Sequence, residues 1–380
     1  MLSDTSVILA RLDPLSLEPV SRQLQLGEYH NAWSLSPDGT QLALGISAPG
    51  ESGRIGIVIV DPEEMKVVRE IETGGAAEAL AWLAPRVLVG ALVRDGTVLV
   101  DPLSGEILRR WPSFSFPETS APIRDGLVML FRRPVRSSSE GRATAAARLA
   151  IVDARGRLRS VVLERIQLSA RYADGVYYAD DAGLAVDPVR ERAYVFAADA
   201  PVADIDLRTL SVSYHRVEAL FLSPGELAGT DVQPDDVGAR NRHALWLGDG
   251  RALVFGSELV PAGRENFESI AAGAIVVDTA TWSSCTLDAT AGAAAVVAKR
   301  LLVYGPPSRE LPGAGLRAYT LQGRKTFHLL DKEQVWNVQA AADRAYVRTR
   351  RAAYVVDVTS GKVVGKVVPP RDLVDAVVEP

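Results

Sequence analysis

The sequence predicts an all-β fold built from one four-stranded unit repeated along the chain, and three observations predict it. First, Asn31–Ile71 reads as four short strands: Trp33–Ser36, Gln41–Gly45, Ile55–Val60 and Lys66–Ile71. They are separated by the turn Pro37-Asp38-Gly39, a Gly- and Ser-rich segment, and the turn Asp61-Pro62-Glu63-Glu64. Pro presets φ for a turn, Asp caps the turn backbone and Gly accepts positive φ. Second, a β-branched run that ends in Asp, turns, and leaves as another apolar strand returns through to the C-terminus. Third, no long stretch shows helical periodicity.

Taken in order, with the four strands named A to D, the C–D half comes first as Val7–Leu24, with no A–B hairpin before it. It recurs as Thr97–Trp111, Arg148–Leu163, Val202–Val217, Ala274–Leu287 and Ala353–Val368, and Gly315–Leu330 fits with Thr320 in place of the Asp. A–B hairpins precede these copies at Ala79–Ala91, Ile123–Phe131, Gly183–Ala197, His243–Gly256, Ala293–Gly305 and Val335–Arg350. A period of about forty residues suits four-stranded blades. One blade exposes two faces; stacking blades around an axis buries both, and closing the ring protects the edges. The expected fold is therefore a seven-bladed β-propeller of four-stranded antiparallel blades. Residues 1–380 form a single domain, with the ring closed by the N-terminal hairpin 7–24 near the C-terminal strands. An eighth, incomplete blade made of that hairpin and Leu373–Glu379 is the alternative.

Ser36-Pro37-Asp38-Gly39 in its strand context resembles the WD40-like and TolB-like propellers. Arg192–Phe196 (RAYVF), Arg344–Thr349 (RAYVRT) and Tyr354–Val368 (YVVDVTSGKVVGKVV) resemble the YVTN class of bacterial propeller repeats. The resemblance covers nearly the whole chain and implies the fold. It carries over no functional residue, because there is no intact YVTN string, no Trp-Asp dipeptide and no family catalytic motif, and propellers host unrelated activities.

A formal charge of −5 argues against a general nucleic-acid binder, which needs a basic field. The single cysteine, Cys285, cannot form an internal disulfide and reads as a buried, inert thiol in an outer strand. The longest apolar runs, such as Ala291–Ala298, are too short to span a bilayer. The chain reads as cytoplasmic as it stands, or as secreted or cell-surface if it is a trimmed mature domain, and as a monomer. No Gly-x-x-x-x-Gly-Lys loop, Gly-x-Ser-x-Gly elbow, HExxH or CxxC is present, so no cofactor is implied.

Loop length supplies the functional expectation. In a propeller the A–B and C–D turns share one face, and the B–C and D–A connections share the other. The first set is uniformly tight, while the long connections Arg132–Ala147, Glu164–Ala182, Glu218–Arg242, Ser257–Ala272 and Pro306–Ala314 all belong to the second. Binding residues concentrate on loops held by a rigid scaffold, so a protein or small-molecule partner is expected on this face. The segment Glu164–Ala182 gathers Tyr172, Tyr177 and Tyr178 with Asp174, Asp180 and Asp181, which suits recognition by aromatic groups with polar tips. A solvated loop folded over by its own tyrosines is the plainer account. The segment Arg132–Ala147 gathers Arg132, Arg133, Arg136 and Arg142, whose forks suit carboxylate or phosphate, and which also suit pairing with the acidic segment.

His30 and His243, with Glu78, Arg242, Trp336 and Asn337, fall at the starts of A strands and would line the channel. They read as hydrogen-bonded lining, or as the site of a metal-dependent hydrolase or lactonase-like activity, the alternative to a non-catalytic binder. His215 and His328 read as surface residues of outer strands. Trp33, Trp82 and Trp246 read as inter-blade core, and Asp61, Asp101, Asp153, Asp206, Asp278 and Asp357 as turn formers.

Overall fold

The computed structural model describes residues 7–27, 29–47, 56–75, 77–92, 96–114, 117–124, 126–132, 143–173, 176–222, 238–261, 267–305 and 315–368. They form seven antiparallel sheets arranged as propeller-like blades, six of four strands and one of five, each with its strands side by side in chain order. A separate hairpin of β1 (Val7–Leu9) and β2 (Leu24–Gly27) precedes them. Blade 1 is β3 (Tyr29–Leu35), β4 (Leu42–Ser47), β5 (Gly56–Asp61) and β6 (Lys66–Glu72). Blade 2 is β7 (Ala77–Ala84), β8 (Val87–Leu92), β9 (Thr97–Val100) and β10 (Ile107–Trp111). Blade 3 has five strands, β11 (Pro117–Ile123), β12 (Gly126–Arg132), β13 (Ala143–Asp153), β14 (Leu158–Ala173) and β15 (Val176–Ala179). Blade 4 is β16 (Gly183–Asp187), β17 (Arg192–Phe196), β18 (Val202–Asp206) and β19 (Val212–His215), followed by a 3-10 turn at Glu218–Phe221. Blade 5 is β20 (Ala239–Gly248), β21 (Arg251–Pro261), β22 (Phe267–Asp278) and β23 (Ser284–Asp288). Blade 6 is β24 (Ala293–Val297), β25 (Arg300–Tyr304), β26 (Leu316–Thr320) and β27 (Lys325–Leu329). Blade 7 is β28 (Val335–Ala341), β29 (Arg344–Thr349), β30 (Ala353–Asp357) and β31 (Lys362–Val367).

The chain forms two compact units, residues 1–132 with 148–162 and 380, and residues 133–147 with 163–379. In the first, Ala43, Ile57 and Ile59 of blade 1 pack on Leu80, Leu88 and Val98 of blade 2. Val89 and Leu99, on the other face of blade 2, pack on Leu127, Met129 and Val152. In the second unit the same alternation holds. Ala252 and Val254 of β21 pack with Tyr194, Phe196 and Val202, while their neighbours Leu253 and Phe255 pack with Leu301, Val303 and Tyr319. Successive side chains of a strand point to opposite faces, so a strand buried on both faces reads as an unbroken apolar run. Trp82 and Trp246 join these contacts: Trp82 Nε1 donates to the Ser34 carbonyl at 3.0 Å, and Trp246 stacks on Tyr194 at 5.4 Å. Trp33 differs from the expected core role and is 36% exposed.

The once-per-repeat Asp residues build the C–D turns. Oδ1 accepts backbone N–H groups two and three residues on, from Glu63 and Glu64 at Asp61, Arg208 and Thr209 at Asp206, and Ala280 and Thr281 at Asp278. The N-terminal hairpin uses the same device at Asp13, and Thr320 replaces it with its hydroxyl. The turn ends in a residue at positive φ, which is Gly105 (79°) or Gly361 (65°) in some copies but Met65 (51°), Leu210 (61°) and Trp282 (59°) in others. The N-terminal hairpin docks on the β5–β6 turn, where Arg22 donates to the Glu64 and Met65 carbonyls. Residues Leu373–Glu379 lie outside the described residues.

Three further expectations are corrected. Glu164–Ala182 is not a loop: β14 continues to Ala173 and β15 folds back on it. Ile166, Leu168 and Ala170 are buried while Arg165 and Gln167 face solvent, so the segment has the period of a half-buried strand. Likewise β21 and β22 extend into Ser257–Ala272. Cys285 is exposed, not buried, because it lies on β23, the outermost strand of its blade.

Candidate functional site

In each meander the A–B and C–D turns lie at one end of the blade, and the B–C and D–A connections at the other. The second end is where A strands begin, and there a recurrent irregularity sits. The A–B register skips one residue at Asn31 in blade 1, Glu78 in blade 2, Glu118 in blade 3 and Trp336 in blade 7. A one-residue bulge re-aims a side chain and bends the strand. Glu118 uses that position to receive Arg132 Nη2 at 2.6 Å, with both side chains nearly buried, so Arg132 is held inside its own hairpin. Glu78 and Asn337 are half-buried in β7 and β28. Arg133, Arg136, Arg142, Asp174 and the side chains of His30, Tyr172 and Tyr177 lie outside the described residues, as does Pro306–Ala314.

Within the second unit the acidic segment is brought against the start of blade 5. Asp180 accepts the Ser169 and Arg240 backbone N–H groups, each at 3.0 Å, one on each carboxylate oxygen. Asp181 continues the tie: its N–H donates to the Arg240 carbonyl at 3.1 Å and its carbonyl accepts from the Arg242 N–H at 3.0 Å. The pair therefore zips the β14–β15 hairpin to β20. Tyr178 is 6% exposed and belongs to the packing.

Beside this zipper opens a polar cleft of about 210 Å³, lined among others by Arg165, Ser169, Asp180, Asp181, Asp199 and Arg240. Arg240 pairs with Asp199, from the B–C turn of blade 4. Arg165 lies over the Tyr214 ring at 5.3 Å, and no described carboxylate pairs with its guanidinium. Among the described residues, its donors are thus left for a planar anion.

His243 is exposed on the neighbouring stretch of β20, with its ring tilted against Phe255 at 5.6 Å. Crowding by the surrounding sheet lowers its pKa, Asp181 pulls it back up, and Arg242 adds to the lowering. Arg242 itself is buried and donates to Glu258 at 2.6 Å. Thus the structure brings together Asp180, Asp181, Arg242 and His243 from the sequence-derived candidates. It adds Arg165, Asp199 and Arg240, which carry no motif. Among the described residues, no group of three or more His, Cys, Asp or Glu is placed to hold a metal ion. No described helix is long and apolar enough to cross a membrane.

No family model and no characterised protein sequence matches the chain. Solved structures do. AztD from Citrobacter koseri aligns with a TM-score of 0.54 at 12% identity, over 95% of this chain and 91% of that one. Dihydro-heme d1 dehydrogenase NirN in complex with DHE aligns at 0.53 and 14%, over 94% and 74%. Sqt1 from Saccharomyces cerevisiae aligns at 0.51 and 10%, over 97% and 89%. At such identities the likeness shows the fold alone, that of a β-propeller.

Proposed function

We propose that this chain is a non-catalytic, monomeric β-propeller that binds a protein or small ligand at the B–C and D–A ends of its blades. The observation that carries this reading is the cleft beside the Asp180–Asp181 zipper. Its walls are fixed by backbone hydrogen bonds, and its Arg165 guanidinium has no described carboxylate partner. Preorganised polar groups in a small concavity are the usual makings of a ligand site.

The test is a thermal-shift screen of small carboxylates, phosphates and amino acids against the wild type and Arg165→Ala. A ligand present at a hundred times its Kd stabilises the native state by about 2.7 kcal/mol. At least one compound should raise the wild-type Tm, and the shift should vanish in R165A while the unliganded Tm stays the same. A silent panel, or chelator-sensitive turnover of ester or lactone substrates, would overturn the reading.

A further inference from the structure

Away from the cleft, blade 7 presents a basic and aromatic surface at the same end. Trp336 is the residue skipped in the β28–β29 register: Val335 faces Thr349 and Asn337 faces Arg348. The bulge leaves the indole 42% exposed, with its Nε1 3.5 Å from Gln334 and the Arg348 guanidinium 5.5 Å from a ring centroid. The B–C turn beside it is built around Thr349, which is 2% exposed. Its N–H donates to the Ala352 carbonyl at 2.9 Å, and its hydroxyl accepts the Arg351 and Ala352 N–H groups at 3.2 Å. Arg350 and Arg351 form the tip of this rigid turn. Both are exposed, and neither side chain has an ion-pair or hydrogen-bond partner among the described residues.

Two adjacent arginines without a partner among the described residues contribute repulsion, and an exposed tryptophan forgoes burial. Together they match a ligand: guanidinium forks take carboxylates bidentately, and tryptophan and arginine are the residues that anchor interfaces. Nearby charge reinforces the sign. Lys332 and Lys366 accompany the three arginines, against Asp331 and Glu333, and Glu333 is engaged by the Tyr354 hydroxyl at 3.3 Å. This positive surface stands on a chain of formal charge −5. A long polyanion such as a nucleic acid would meet that overall charge, whereas a short acidic segment meets only the local one.

We propose that this surface binds an acidic peptide segment of a partner protein, with carboxylates on Arg350 and Arg351 and the peptide lying across Trp336. It is independent of the ligand held in the cleft. The test is a fluorescence and calorimetric titration of the whole protein with end-blocked hexaglutamate, with hexaglutamine as control, at low and physiological salt. Hexaglutamate should bind, alter Trp emission and weaken with salt. The double variant Arg350→Glu/Arg351→Glu should lose at least tenfold in affinity at an unchanged Tm, and Trp336→Ala should lose both affinity and the emission change. Absence of hexaglutamate binding, equal binding by the charge-reversed variant, or tighter binding of a single-stranded oligonucleotide would overturn the proposal.

Discussion

Arg242 and Glu258 show what a single pair of residues does here. Their side chains are 6% and 4% exposed, so each charge depends on the other. Removing one partner strands the other in a poor solvent, whereas replacing both with apolar groups of similar volume is often neutral. Glu258→Ala should therefore destabilise by about 3–5 kcal/mol, measured by urea denaturation, and Arg242→Met/Glu258→Leu should recover most of that loss. If the single variant matches the wild type, the pair is not buried as described. At this scale the sequence was legible where a residue acts locally and repeats. Asp61, Asp206 and Asp278 recur in register because each accepts N–H groups within its own turn. Arg165, Asp199 and Arg240 were not legible, because they meet only through distant parts of the chain.

Between elements, the strands are as close as backbone allows. A Cβ on Gly183 of β16 would lie 2.5 Å from the His243 carbonyl carbon and 2.7 Å from the Ala244 nitrogen on β20. The obstacle is main chain, which has no rotamer to yield. Gly183→Ala should thus push the A strands of blades 4 and 5 apart and lower stability by roughly 1–3 kcal/mol, the usual cost of overpacking. The check is a drop in Tm together with weaker Tyr194–Trp246 stacking in near-ultraviolet circular dichroism. An unchanged melt would contradict this packing. Elements with tight Asp-capped turns were read correctly from the sequence. Leu158–Leu163 reads as strand, but the continuation of β14 past Leu163 reads as a loop because Arg165, Gln167 and Ser169 alternate with its apolar residues, and a strand buried on one face has less apolar character than one buried on both.

For the molecule as a whole, titration should define a plateau of stability with three distinct edges. Backbone N–H groups hold the Asp206, Asp278 and Asp357 carboxyls below their ordinary pKa. Their contribution is complete above the unfolded value of about 4 and is lost as pH falls through the lower folded values. The sheet packed around His243 lowers its pKa too; because the ring itself is exposed, its loss below about pH 6.5 is small, and His243→Gln should remove that step alone. Burial, reinforced by the hydrogen bond to Asp288, pushes Tyr319 up to about 12. Its contribution is intact below about pH 10 and is lost as pH rises through the folded value. Tm against pH should be flat from about 7 to 9.5, and a slope within that range would contradict these assignments. The sequence revealed the repeated four-stranded blade, because each blade is a local product of its own strands, and left seven against eight blades open. It did not reveal the cleft, because a concavity belongs to no single repeat. Cys285, the chain's sole thiol, is exposed on β23 near the C–D turn of blade 5, at the opposite end of that blade from its B–C and D–A connections. A maleimide fluorophore or a biotin tether can therefore be attached there without introducing or deleting any residue, so that the unaltered polypeptide can be immobilised with the B–C and D–A end of blade 5 turned outward.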